Sequence, residues 1–167
     1  DEKKIHILNG GLKKWIFENK PTTKDKTEII ESNYVASEKE NLVVSFDQIK
    51  ENILSKSFDV IDARSLERFE GKVSEPRKGL RSGHIQNSFC LPFNQCINQK
   101  TGEFKNLEEL RELFNQNENI EKRLDQVFTC GSGVTAAVLA YAYKMVNNDY
   151  IPKIYDGSWS EYGKYPA

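Results

Sequence analysis

Histidine and cysteine, the side chains that most often carry metal or redox chemistry, are scarce in this chain: 167 residues hold two histidines and three cysteines. Cys90, Cys96 and Cys130 form no C-x-x-C pair, and His6 and His84 stand far apart, so no zinc-ligand set occurs at workable spacing. No metal is expected, and nothing calls for an organic cofactor. An odd number of unpaired cysteines suits free thiols in a reducing compartment. Excess charge is lacking too. Twenty-four basic against 25 acidic side chains leave a net charge of −1, a balance that points away from a nucleic-acid binder or a disordered tail. No apolar run nears the roughly 20 residues of a bilayer span, and no apolar segment follows a basic start as in a signal peptide. Neither nucleic acid nor membrane is an expected partner.

What the chain has is length for one ordinary globular domain with material to spare. Its two ends resemble each other. "KIHILNGGLKKW" near the start and "IPKIYDGSWSEY" near the end each run from a β-type stretch through Asn or Asp and Gly into a helical turn with an aromatic; Leu8-Asn9-Gly10-Gly11 overlies Tyr155-Asp156-Gly157-Ser158, and Trp15 overlies Tyr162. Residues 1–19 are therefore expected to be the closing strand and helix of a preceding domain whose body is absent. Residues 20–41 are polar and aperiodic and predict a linker.

The body spans residues 42–165. Leu42–Val44 predicts a short strand, and Ser45 with Gln48 a capping box opening a helix to about Leu54. "FDVIDAR" predicts a buried strand, Ser65–Phe69 a helical turn, and "SFCLP" a short strand broken by Pro92. Asn106 with Glu109 caps an amphipathic helix through Phe114. "QVFTC" is a strand leading into "TCGSGVTAAVLAYAYKM", whose apolar part predicts a helix, and "KIY" is the last strand. Strands alternating with helices predict an α/β fold with a central parallel sheet flanked by helices on both faces.

In such a sheet, ligands bind where strand ends lead into helix N-termini, and Cys130 ends one of those strands. Gly131 and Gly133 are expected to take positive φ, curling the loop so that several N–H groups point at one spot, while the helix adds the positive end of its dipole. These groups favour a thiolate over the thiol, whose ordinary pKa is roughly 8.5. Two chemistries use such a cradle. A cysteine phosphatase needs an arginine six residues after the nucleophile to grip the phosphate, and Ala136 stands there. Sulfur transfer, in which the cysteine holds the transferred sulfur as a persulfide, fits better.

Five motifs, "DARSLERFEG" at 62–71, "EPRKGLRSGHI" at 75–85, "LPF" at 91–93, "CGSGVTA" at 130–136 and "YDGSWSEY" at 155–162, together resemble the C-terminal catalytic domain of the tandem rhodanese enzymes. Residues 3–19 resemble the closing segment of that family's N-terminal domain. The resemblance implies a sulfurtransferase in which Cys130 is the nucleophile and Ser132 takes a catalytic part, bonding the departing oxygen or the persulfide. Arg68 and Arg77 would bind the carboxylate and keto oxygen of a small-molecule donor, and Gly131, Gly133, Val134 and Thr135 would complete the substrate loop, Val134 through its amide and Thr135 as a helix cap. Relatives that prefer thiosulfate carry basic residues after the cysteine. The uncharged Gly131-Ser132 pair favours 3-mercaptopyruvate, with pyruvate as product and a thiol such as thioredoxin, or cyanide, as acceptor. Thiosulfate transfer and a persulfide carrier or docking module without turnover are the alternatives. An N-terminal rhodanese-like domain, missing from this chain, is expected as partner, because in the family it supplies an acidic residue and a histidine that assist. Arg64 and Asp62 are expected to form a structural ion pair and His84 to pack rather than catalyse; Trp159 and Tyr162 either wall the cleft or pack in the core. Cytosol and mitochondrion stay equally open, because any presequence would precede Asp1.

Overall fold

A computed structural model describes residues 5–37, 39, 41–116 and 125–165. Its centre is a four-stranded, all-parallel sheet built from β1 (Phe58–Asp62), β2 (Ser88–Cys90), β3 (Asp125–Thr129) and β4 (Lys153–Ile154), in the spatial order β2-β1-β3-β4. Period-two alternation on β1 and β3 builds a core on each face. Val60 pairs with Val127 and Ile61 with Phe128. The two valines face a cluster with Val44, Ile49, Ile85, Tyr155 and Trp159, whereas Ile61 and Phe128 face the larger one with Leu110, Phe114, Leu139 and Tyr143.

Helices cover both faces as expected: α2 (Phe46–Ser55) and α6 (Ser158–Tyr162) on the valine side, α4 (Leu107–Asn115) and α5 (Val134–Val146) on the other. Both anticipated capping boxes are present. Ser45 and Gln48 bond reciprocally at the start of α2, and Asn106 and Glu109 at the start of α4. The four-residue α3 (Leu66–Phe69) follows β1, and a 3-10 turn spans Phe93–Cys96 after Pro92. Leu42–Val44 adds to the sheet edge only as a bridge: Val44 N–H donates to Ile154 O at 2.8 Å, and Ile154 N–H to Leu42 O at 2.9 Å.

Residues 5–8 form no strand, since no neighbouring strand pairs with them among the described residues; α1 (Gly11–Phe17) does form. Its docking on the body is polar. Phe104 N–H donates to Asn9 Oδ1 at 2.9 Å, Lys13 Nζ donates to Gln99 O at 2.9 Å, and Lys14 pairs with Glu103. The apolar side chains of this segment, among them Ile7, Leu8, Leu12, Ile16 and Phe17, stay exposed. Residues 20–37 carry no regular structure and lie exposed.

Candidate active site

Connections from the adjacent strands β1 and β3 leave toward opposite edges of the sheet, and the crevice beyond their carboxyl ends is where open α/β sheets bind ligands. The chain leaves β1 through Ala63 and Arg64 into α3, which carries Arg68. It leaves β3 through Cys130–Gly133 into α5. Two neighbouring strands thus deliver a guanidinium and a thiol to one place.

The two loop glycines differ in what they provide. Gly133 takes φ +81°, and a Cβ there would lie 2.5 Å from Asp156 Oδ1, so both backbone and space require glycine. Gly131 does not adopt positive φ, contrary to expectation. A Cβ at Gly131 would instead sit 3.1 Å from Arg68 Nη2 and 3.5 Å from Arg77 Nη1, so the bare backbone makes room for two guanidinium groups.

Cys130 is only 2% exposed, yet its sulfur faces donors. Burial by itself pushes the thiol up. The Thr135 hydroxyl, together with the amides of Ser132, Ala136 and Thr135, outweighs that cost and holds the thiol below its ordinary value. Ser132 N–H lies 3.4 Å from Sγ. Thr135 was expected to cap α5, but the N-cap is Gly133 with no side-chain bond, and the hydroxyl serves the sulfur instead. Val134 turns its side chain to solvent. Burial without such donors pushes Cys90 and Cys96 up to about 12, which singles out Cys130 as the poised thiol of the three.

Arg68 owes its aim to Glu75, whose carboxylate accepts from Arg68 Nη2 at 2.6 Å and Nε at 3.2 Å. The same carboxylate accepts from Arg64 Nη1 at 2.8 Å. Arg64 is fully buried, bonded to Asp62 Oδ2 through Nε and Nη2 and to Gly83 O, with its guanidinium 4.4 Å over the Trp159 ring; this is the structural ion pair expected from the sequence, enlarged by Glu75. His84 packs, its ring stacked on Phe69 at 4.0 Å and its Nδ1 at 2.8 Å from Phe69 O. Trp159 is a core residue, with Nε1 donating to Arg81 O and the Arg81 guanidinium 4.6 Å over its ring.

From behind, α6 holds the loop. Trp159 N–H donates to Cys130 O at 2.9 Å and Ser160 N–H to Gly131 O at 3.0 Å, which turns these carbonyls away from the sulfur. Sequence alone does not mark Glu75, Ser158 or Ser160, although each lies inside a quoted motif; the available signal is an acid between two arginines and a hydroxyl pair flanking Trp159. Ala136, where a phosphatase needs arginine, is a fully buried alanine.

A parallel sheet presenting a cysteine in a loop of amides, with arginines across the loop, defines the class. Residues 45–165 match the family model of the rhodanese-like domain, and the chain belongs to that family. The 3-mercaptopyruvate sulfurtransferase of Homo sapiens is 36% identical over 158 residues, covering 95% of this chain and 52% of that protein. The thiosulfate sulfurtransferase of Gallus gallus is 35% identical over 160 residues, covering 96% and 54%. Among solved structures, SseA from Escherichia coli, described as a 3-mercaptopyruvate sulfotransferase of rhodanese fold, is 31% identical with a TM-score of 0.77, covering 95% of this chain and 57% of that one. The chain spans about half the length of the curated relatives it matches, and the match falls in their C-terminal half.

Proposed function

We propose that the chain is the sulfur-accepting domain of a sulfurtransferase that takes sulfur from 3-mercaptopyruvate onto Cys130. The observation that carries this reading is a conjunction in one loop: a thiol at Cys130 that hydrogen-bond donors hold below its ordinary pKa, and the Arg68 and Arg77 guanidinium groups beside the bare backbone of the next residue, Gly131. The Cys130 thiolate attacks the donor's sulfur and a sulfur–sulfur bond forms. The electron pair of the broken carbon–sulfur bond leaves as pyruvate enolate. The donor's thiol proton ends on the enolate carbon, so the products are a Cys130 persulfide anion and pyruvate. Two guanidinium groups suit a planar α-keto carboxylate, and their attraction grows as charge develops on the keto oxygen, which lowers the barrier rather than merely binding substrate. Ser132 donates to that oxygen or to the persulfide. Amides that held the thiolate then hold the terminal sulfur, until an acceptor thiolate or cyanide takes it and restores the Cys130 thiolate.

Thiosulfate transfer is the second reading, favoured by the near-equal identity to the chicken thiosulfate enzyme. The uncharged Gly131-Ser132 pair supports the keto-acid donor over a doubly charged one. Residues 1–19 are read as the closing segment of a preceding rhodanese-like domain, 20–41 as a linker and 42–165 as the catalytic domain; the exposed apolar side chains of α1 support this. Pyruvate release from 3-mercaptopyruvate with a dithiol acceptor tests the function. It should exceed thiosulfate-dependent thiocyanate formation and vanish in Cys130→Ser, whereas a carrier would take sulfur from another persulfide and release no pyruvate.

A further inference from the structure

Twenty-eight residues beyond the cysteine, at the first position of α6, Ser158 is wholly buried and holds φ +50°, a conformation that non-glycine residues seldom keep unless their surroundings enforce it. Its hydroxyl oxygen is a hub. Cys130 N–H donates to it at 3.2 Å, Gly133 N–H at 3.0 Å and the Thr129 hydroxyl at 3.3 Å, while Ser158 itself donates to Tyr155 O at 2.8 Å. A serine hydroxyl has one proton and two lone pairs. With the proton on the Tyr155 carbonyl, the two lone pairs serve the Cys130 and Gly133 amides, and the longer Thr129 hydroxyl contact shares one of them.

We infer that Ser158 is a positioning residue for the sulfur site, engaging the amides at the two ends of the Cys130–Gly133 loop so that the amides between and after them are left to face the sulfur. Without that oxygen, the Cys130 and Gly133 amides would be buried donors lacking a partner, and the loop would turn to satisfy them. The Trp159 and Ser160 amides complete the brace by taking the carbonyls of Cys130 and Gly131. The "GSWS" stretch therefore shapes the anion hole from outside the loop, through the Ser158 hydroxyl at its amides, and through two backbone N–H groups and the Ser160 hydroxyl at its carbonyls. Its consequence for turnover rests on the sulfur-transfer reading, but its effect on the thiol does not.

The test reads the thiol alone, with no sulfur donor. Iodoacetamide alkylation of Cys130 is followed against pH by peptide mass in the unsubstituted protein, Ser158→Ala and Ser158→Gly, the last relieving the positive φ. Both variants are expected to move the alkylation midpoint up by about one pH unit, cutting the rate well below the unsubstituted midpoint by about tenfold while leaving the high-pH plateau unchanged. A purely structural role would lower the melting temperature and leave the midpoint where it was; an unmoved midpoint in the folded glycine variant overturns the inference. Amide exchange in the unsubstituted protein supplies a readout independent of any variant. The Cys130 and Gly133 amides should stay protected after alkylation, because Ser158 rather than sulfur holds them; their release on alkylation would equally overturn it. If the unsubstituted thiol proves no more acidic than free cysteine, the proposed function fails separately.

Discussion

Arg68 shows how one carboxylate sets a guanidinium's direction. Glu75 takes Nε and Nη2 along one side, and Nη2 stands beside the bare backbone of Gly131. Arg68→Ala is expected to lower kcat/KM for 3-mercaptopyruvate by about 10–100-fold, the equivalent of a charged hydrogen bond worth about 1.5–3 kcal/mol. Arg68→Lys should not restore it, because an ammonium cannot make the two-pronged contact. The sulfur itself sets the pH profile. The donors around Cys130 favour the anion, so sulfur uptake should fall as pH drops through the lowered thiol value and the proton returns to Sγ. Above that value the rate should level off, at a lower pH than the ionisation of an unperturbed cysteine would give. Stopped-flow uptake against pH measures this, and a midpoint no lower than that of a free cysteine thiol titrated alongside would contradict it.

Elements with local signals were readable from sequence. The capping boxes at Ser45 and Asn106 and the strands β1 and β3 appear where expected, because each depends on residues within a turn or a strand of one another. Asn106→Ala should cost about 1 kcal/mol in denaturant unfolding. Phe128→Ala, which empties a fully buried position between β3 and α5, should cost about 3–5 kcal/mol. Features decided by distant residues were not readable. Gly131 was assigned positive φ when its true constraint is two arginines brought in from α3 and the loop after it, and Thr135 was assigned to the helix when its hydroxyl belongs to the sulfur. The run from Ile5 to Leu8 has strand composition without a strand beside it among the described residues, and composition alone does not make a ladder. The cysteine, its loop and the arginine motifs were legible as a set; the serine behind them was not, since its role exists only once α6 packs against the loop.

Over the whole molecule, polar contacts fix the first segment to the body through Asn9, Lys13 and Lys14, while its apolar side chains look outward. If these close a preceding domain, Leu12→Asp and Phe17→Asp should shift the unfolding free energy of this chain by no more than about 0.5 kcal/mol, as exposed substitutions do. The same changes should destabilise a longer protein carrying that domain by about 1.5–3 kcal/mol per buried side chain. Denaturant unfolding of the two lengths side by side distinguishes the cases, and equal small effects in both would remove that domain assignment. The central claim, that Cys130 accepts sulfur from a keto-acid donor in a cradle of amides, is tested most directly by intact and peptide mass after brief exposure to 3-mercaptopyruvate. The account predicts a gain of one sulfur atom on Cys130 alone, removed by cyanide and absent from Cys130→Ser; a gain on Cys90 or Cys96, or no gain at all, would contradict it.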